Sequence, residues 1–277
     1  MNFRRIAAFS DGGIGGNPAG VWVGEALPDD ATMQRLAAEI GYSETVFAAP
    51  SKHAWRVRYF SPESEVPFCG HATIALGAAL ALEHGDGMYA LALNDAHITV
   101  EGHRDGEHLA ATLQSPHTHS KAADPALIAD ALALFGYASE DIDWRIPPAI
   151  AYAGATHLVL ALFMRAKLAA MNYSLDAGRA LMQRAGLITI ALVQSESEQR
   201  FHARNAFASS GVYEDPATGA AAAAFAGYLR DISWPHHGAI DIVQGEDMGS
   251  RSLLHAEFTR VAGSSIRVSG NARVMKG

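Results

Sequence analysis

Two short polar turns, each followed by an apolar run, carry the residues best suited to chemistry. Residues 67–73 read Pro-Phe-Cys-Gly-His-Ala-Thr, and residues 214–220 read Glu-Asp-Pro-Ala-Thr-Gly-Ala. Each turn is predicted to open a helix with no charge on any face, and such a helix must be covered on all sides. Helix N-termini carry partial positive charge, so two of them in the interior would hold a carboxylate or a developing oxyanion. This pattern predicts a two-lobed enzyme with its chemistry in the cleft between the lobes.

Glu44, His71 and Asp215 are the candidate acid–base groups. Glu44 lies between a predicted helix end and an apolar strand, where a carboxyl group facing a closed cleft would have a raised pKa and could shuttle protons. His71 lies in the first turn of its helix, where the helix dipole lowers its pKa and favours a neutral imidazole. Asp215 precedes Pro216, as a helix cap precedes an N1 proline, and Glu214 is expected to face solvent.

Each of these side chains also has a purely structural explanation. Glu44 could be an exposed loop glutamate, His71 a histidine bonded to a nearby loop, and Asp215 a cap alone. Gly70 and Gly219 would let the backbone N–H groups of the two first turns approach a ligand closely. The alternative is that both helices are ordinary packing helices made of small residues.

Composition narrows the possible partners. The chain has 277 residues, of which 49% are hydrophobic, and a net charge of −8 with a pI of about 5.9. This charge argues against nucleic acid and against an anionic membrane surface as main partners, but it leaves a small anionic substrate open. Cys69 is the one cysteine, so no intramolecular disulfide can form and a reducing, cytoplasmic location is expected. A racemase mechanism that needs a pair of thiols is excluded for the same reason.

Membrane and metal sites are not expected. The N-terminus leads into no sustained apolar stretch, and the apolar runs near 71–82 and 216–229 are shorter than the roughly 20 residues that span a bilayer. Histidine pairs occur without a third ligand at a diagnostic spacing, so no metal is predicted. These pairs are His117 with His119 and His236 with His237.

An internal repeat indicates two related halves. The tripeptide Met-Gln-Arg at 33–35 recurs at 182–184, an offset of 149 residues, and the two buried helices, predicted near 71–82 and 217–229, share that register. Glu44 and His71 have no acidic or histidine counterpart at this offset, so the active site should be asymmetric.

The predicted fold class is α+β, with a curled or barrel-like sheet wrapped around a central apolar helix in each lobe. Residues 115–120 read as a linker. The predicted N-terminal lobe is 1–116 and the C-terminal lobe 117–262. The last strands, near 263–277, could belong to the C-terminal lobe or cross back to the first lobe.

Six short motifs occur in order along nearly the whole chain. They are Gly-Asn-Pro-Ala at 16–19, Ser-Glu-Thr-Val-Phe at 43–47, Arg-Tyr-Phe at 58–60, Cys-Gly-His-Ala-Thr at 69–73, the segment 211–219, and Gln-Gly at 244–245 with Gly249. Taken together, these motifs resemble the PhzF family of phenazine-biosynthesis-like proteins. The resemblance implies the fold of diaminopimelate epimerase, with two similar lobes, usually in a homodimer. It also implies an isomerase without any cofactor, because the best-known member isomerises trans-2,3-dihydro-3-hydroxyanthranilate.

The resemblance also implies roles for individual residues. The family's general acid/base glutamate falls on Glu44, the histidine of its Cys-Gly-His motif on His71, and the aspartate of its Glu-Asp-Pro motif on Asp215. Four backbone amides would bind the carboxylate or oxyanion of the substrate. They belong to Gly70, His71, Gly219 and Ala220.

Three departures from the family pattern bear on the substrate. Ala220 replaces the usual serine, Ser209 replaces a proline, and residues 249–252 read Gly-Ser-Arg-Ser where Gly-Arg-Pro-Ser is usual. We therefore expect an isomerase that moves a proton within a small cyclic or conjugated carboxylic acid. The alternative is a retired or redirected small-molecule-binding protein on the same scaffold.

Overall fold

The computed structural model describes residues 2–275, which form a mixed α+β fold with six α-helices and seventeen strands. The α+β class is therefore confirmed. The helices are α1 (Asp30–Ile40), α2 (Gly70–His84), α3 (Pro125–Phe135), α4 (Arg165–Ala169), α5 (Leu175–Ala185) and α6 (Gly219–Asp231). The strands are β1 (Arg4–Ser10), β2 (Asn17–Val23), β3 (Thr45–Ser51), β4 (Ala54–Phe60), β5 (Glu65–Val66), β6 (Gly87–Ala92), β7 (His97–Asp105), β8 (His108–Gln114), β9 (His119–Ala122), β10 (Ala149–Tyr152), β11 (Thr156–Ala161), β12 (Thr189–Ser195), β13 (Arg200–Phe207), β14 (Val212–Asp215), β15 (Ala239–Gln244), β16 (Ser252–Glu257) and β17 (Arg267–Val274).

The same series of strand pairings occurs twice along the chain. In the first half, β1 and β2 pair antiparallel, β2 and β3 parallel, β3 and β4 antiparallel, and β4 and β6 parallel. In the second half, β10 and β11, β11 and β12, β12 and β13, and β13 and β15 repeat these four relations in the same order. The helices α2 and α6 occupy corresponding places and begin 149 residues apart, as the internal repeat predicts.

The last strand ties the two series together. β17 pairs antiparallel with β16, and also with β1 and β8 from the first 116 residues. The predicted division into lobes at residue 116 stays a prediction.

Strands cover both apolar helices. Every residue of α2 from Gly70 to Ala81 is buried, as is every residue of α6 from Gly219 to Arg230. α2 packs on β1, β2, β3, β7, β8 and β17, and α6 on β9, β10, β11, β15, β16 and β17. Small residues allow this close approach, since a Cβ on Gly102 of β7 would lie 2.2 Å from the carbonyl oxygen of Gly77 in α2. No helix among residues 2–275 is long and apolar enough to cross a membrane.

Candidate active site

The N-termini of α2 and α6 touch each other in the interior. A Cβ placed on Gly70 would lie 2.7 Å from the backbone nitrogen of Ala220 and 2.9 Å from Cα of Gly219, so a side chain at this position would force the two helices apart. The first helical hydrogen bond of α2 is donated by Thr73 to the Cys69 carbonyl. The N–H groups before Thr73 therefore have no partner within the helix, and the same holds before Ala222 in α6. Together these groups concentrate partial positive charge at one place.

A small cavity of about 40 Å³ lies at this junction. It adjoins a larger pocket of about 460 Å³, and the two share Glu44, Phe68 and Phe207 in their linings. The structure thus brings all the predicted site residues around one space. The small cavity is lined by Glu44, Gly70, His71, Asp215, Gly219 and Ala220, and also by Cys69, His157, Thr189 and Thr218.

Glu44 is buried immediately before β3, with 3% of its surface exposed. Its Oε2 lies 3.4 Å from Nε2 of His71 but has no aligned hydrogen-bond partner among the described residues. Burial raises the pKa of Glu44 to about 7, although hydrogen bonds from Ser43 and Cys69 partly oppose the shift. The alternative of an exposed loop glutamate is therefore wrong, and Glu44 can gain or lose a proton near neutral pH.

His71 is also buried, and burial lowers its pKa to about 3. The predicted direction is correct, but burial, rather than the helix dipole, is the cause. Its Nδ1 lies 3.3 Å from Sγ of Cys69. Burial, together with the negative charge of Glu44, raises the pKa of the Cys69 thiol well above its usual range. Cys69 is thus a protonated thiol that can donate a hydrogen bond, rather than a thiolate nucleophile.

Asp215 is the last residue of β14, and α6 begins only at Gly219 with Thr218 as its cap residue. The prediction that Asp215 caps the helix is therefore wrong. Its two carboxylate oxygens are held by Nδ2 of Asn17 at 2.6 Å and by the hydroxyl of Thr218 at 2.7 Å. Burial, followed by the charge of Glu44, raises the pKa of Asp215 to about 8.

Asn17 and Gln244 support this aspartate, and the sequence analysis gave neither a role. Asn17 also donates to the carbonyl of Ala217 at 2.9 Å, and Nε2 of Gln244 donates to the carbonyl of Asp215 at 2.6 Å. Both lie in short motifs, Gly-Asn-Pro-Ala and Gln-Gly, that the resemblance had marked. Their position in these motifs could have identified Asn17 and Gln244 as site residues.

Glu214 is buried, contrary to the expectation that it faces solvent. Arg204 donates to it through Nε at 2.9 Å and to the carbonyl of Ala169 at 2.8 Å. Glu214 and Arg204 are 6% and 7% exposed, so they form a buried ion pair beside the strand that ends in Asp215. Because the partner lies on the neighbouring strand β13, no local pattern revealed it.

His157 is a cavity residue that the sequence analysis missed. It lies on β11, is fully buried, and places Nδ1 at 2.8 Å from the hydroxyl of Thr189. The available signal was a single histidine in the otherwise apolar stretch 157–161 of β11.

The electrostatics of the cavity favour an anion over a cation. The ligand-type atoms of Glu44, Cys69 and His71 lie within 4.8 Å of one another, as metal ligands would. The carboxyl and the thiol both have raised pKa values, and two helix N-termini face the same space. A metal ion would have to displace both protons against that positive potential.

Comparisons with known proteins agree with this fold. A family profile described as phenazine biosynthesis-like protein, PhzC-PhzF, matches residues 6–277. An uncharacterized isomerase of Mesorhizobium japonicum is 32% identical over 98% of this chain and 95% of its own length. A trans-2,3-dihydro-3-hydroxyanthranilate isomerase of Pseudomonas aeruginosa is 31% identical over 96% of this chain and 94% of its own length.

A solved structure shows the same fold. The phenazine biosynthesis protein of the PhzF family from Bacillus anthracis has a TM-score of 0.85 over 100% of this chain and 98% of its own, at 20% identity. The predicted family and the predicted isomerase class are both confirmed by these relatives. The chain is a member of the phenazine biosynthesis-like PhzC-PhzF family.

Proposed function

We propose that this protein is a cofactor-independent isomerase that moves a proton within a small cyclic or conjugated carboxylic acid, of the trans-2,3-dihydro-3-hydroxyanthranilate isomerase type. The observation that carries the proposal is the Glu44 carboxyl group, which is buried and lies against two helix N-termini, with one oxygen that has no hydrogen-bond partner within residues 2–275. The relative named for that activity supports the substrate class.

The substrate carboxylate binds at the paired N-termini, where the N–H groups of His71 and Ala220 belong to the two first turns. Glu44 removes a proton from an activated carbon, and the negative charge that develops in the π-system is stabilised by the same N-termini. Either Glu44 or a relay through His71 and Asp215 then returns a proton to another carbon. One proton leaves and one arrives, so the reaction is redox-neutral.

The proton affinities suit this exchange. The pKa values of Glu44 and Asp215 are both raised by burial, and each carboxylate disfavours ionisation of the other. Near neutral pH the pair therefore holds about one proton, which gives the site a base and an acid at once.

The substrate must extend beyond the inner cavity. A volume of about 40 Å³ holds little more than ordered water, whereas the adjoining pocket of about 460 Å³ can take a ring. We place this cleft between lobes 1–116 and 117–262, with β17 returning to the first lobe. The pairings of β17 with β1 and β8 support that return. We also propose a cytoplasmic homodimer, which the family resemblance implies.

The test is isomerisation of trans-2,3-dihydro-3-hydroxyanthranilate in D₂O, followed by NMR. Wild type should incorporate solvent deuterium at the carbon that receives the proton. Glu44→Gln keeps the shape but removes the proton shuttle, so turnover should fall about 10²–10⁴-fold. Glu107→Gln makes the same change at an exposed site and should be neutral. Full turnover by Glu44→Gln would show that the base is misassigned.

A second candidate is a binding protein on the same scaffold, which Ala220 favours because the cavity lacks a hydroxyl there. A binder would retain the ligand without deuterium incorporation in any variant.

A further inference from the structure

Of the two histidines that line the small cavity among residues 2–275, His157 is the one that the proposed proton transfer does not use. It projects from the middle strand of β10, β11 and β12, opposite no charged partner, and is fully buried. Its Nδ1 is hydrogen-bonded to Thr189, whereas Nε2 has no partner among the described residues. A buried polar atom without a hydrogen-bond partner lowers the stability of the fold. Nε2 is therefore a candidate for a hydrogen bond to a bound ligand.

A chain of hydrogen bonds determines which ring nitrogen carries the proton. The Thr189 hydroxyl donates its single proton to Oδ1 of Asn205 at 3.1 Å. The Thr189 oxygen can then only accept from His157, so Nδ1 carries the hydrogen and Nε2 presents a lone pair. Burial lowers the pKa of His157 to about 3, which keeps the ring neutral at physiological pH. Nε2 is therefore a hydrogen-bond acceptor.

This acceptor complements the rest of the cavity. The helix N-termini of α2 and α6 offer N–H donors, which suit a carboxylate, whereas Nε2 suits a donor. We propose that Nε2 of His157 accepts a hydrogen bond from a hydroxyl or amino group of the substrate and so selects carboxylic acids that carry such a donor. The inference rests on the proposed function for the carboxylate end of the substrate. It adds a requirement for a second polar group on the same molecule.

Ligand preference tests the proposal without turnover. Isothermal titration calorimetry would compare 3-hydroxyanthranilate, which carries hydroxyl and amino donors, with benzoate, which carries only the carboxylate. Wild type should bind 3-hydroxyanthranilate at least about tenfold more tightly, the value of one good buried hydrogen bond. His157→Leu should lose most of this preference while still binding benzoate. His157→Gln, whose amide oxygen can replace the acceptor, should keep part of it, and the exposed control His108→Leu should keep all of it.

Three calorimetric results would overturn the inference. The first is an unchanged preference in His157→Leu, and the second is an equal loss for both compounds, which would indicate a structural role only. The third is failure of wild type to bind either compound. Nitrogen-15 NMR of histidine-labelled wild type gives an independent check that needs no variant to fold. It should show His157 as the Nδ1–H tautomer, and an Nε2–H tautomer would refute the proposal. Loss of deuterium incorporation alone would count against the isomerase and leave these binding results standing.

Discussion

Burial sets the proton affinity of every ionisable side chain in the cavity. Glu44 and Asp215 have raised pKa values, whereas His71 and His157 have lowered ones, and desolvation is the largest cause for all four. At neutral pH the histidines are uncharged and the carboxyl pair keeps about one proton. The cavity side chains therefore carry about one negative charge, which the partial positive charge of the two helix N-termini offsets.

The carboxyl pair should make stability fall as pH rises from about 6.5 to about 8. Unfolded carboxyl groups lose their protons near pH 4, whereas folded Glu44 and Asp215, with pKa values of about 7 and 8, still hold theirs. Their contribution is full below pH 4 and is lost as pH rises through the folded pKa values. Each group lowers the free energy of unfolding by at most about 1.4 kcal/mol per pH unit.

Urea unfolding at several pH values in this window measures the effect. Asp215→Asn removes one titrating group and should flatten the slope. The buried histidines have lowered pKa values and therefore make stability rise with pH, but chiefly below the unfolded histidine pKa of about 6.5. An equal slope in wild type and Asp215→Asn would contradict the raised pKa of Asp215.

Glu214 should matter for stability far more than an exposed acid. Glu214→Ala leaves the guanidinium of Arg204 buried without its carboxylate, so we expect a loss of about 3 kcal/mol or more in the free energy of unfolding. Asp130→Ala breaks the exposed pair with Arg184 and should cost less than about 1 kcal/mol. Equal effects in chemical denaturation would show that Arg204 finds another partner.

At the level of elements, the two first turns of α2 and α6 create the anion site by touching. Gly70 makes this possible, because its missing Cβ leaves room for the backbone of Gly219 and Ala220. The strands that pack on both helices bring the helices together, and neither apolar helix would be stable alone in water.

Gly70→Ala should therefore damage both stability and the site. The new Cβ meets backbone atoms at 2.7–2.9 Å, which cannot rotate away, so we expect a loss of about 1–3 kcal/mol and a sharp fall in turnover. Gly87→Ala adds a Cβ in open space at the start of β6 and should change stability and turnover little. Thermal unfolding and the deuterium assay would check this. A Gly70→Ala variant with normal turnover would show that the contact of the N-termini is not needed.

Over the whole molecule, one strand closes the repeated halves into a single network. β17 hydrogen-bonds to β16, β1 and β8, and buries Val268 and Ala272. The chain therefore cannot complete the sheet around α2 until its last strand is in place.

Removal of residues 265–277 should abolish soluble, cooperative folding. It would leave β1 and β8 with unpaired edges and expose the apolar residues beneath them. A chain that ends at Met275 keeps the described pairings of β17 and serves as the control. Circular dichroism and size-exclusion chromatography would compare the two, and a truncated chain with an unchanged melting temperature would refute the role of β17.

Local sequence was sufficient for several features of the fold and the site. A helix that is apolar on every face must be buried, so the positions of α2 and α6 followed from composition and spacing. The offset of 149 residues revealed the repeat, and the residue types around the two turns identified Glu44, His71 and Asp215 as candidates. Backbone propensity and hydrophobic patterning act between near neighbours, which is why they are readable along the chain.

Long-range contacts decided what those candidates can do. Asp215 takes its raised pKa from burial and from the charge of Glu44, and its hydrogen-bond partner Asn17 lies 198 residues away. Glu214 pairs with Arg204 on another strand. His157 joined the site because strand pairing placed it beside Thr189. Desolvation and hydrogen bonding depend on distance in space, and the distance between these groups is fixed only when the strands close around the two helices.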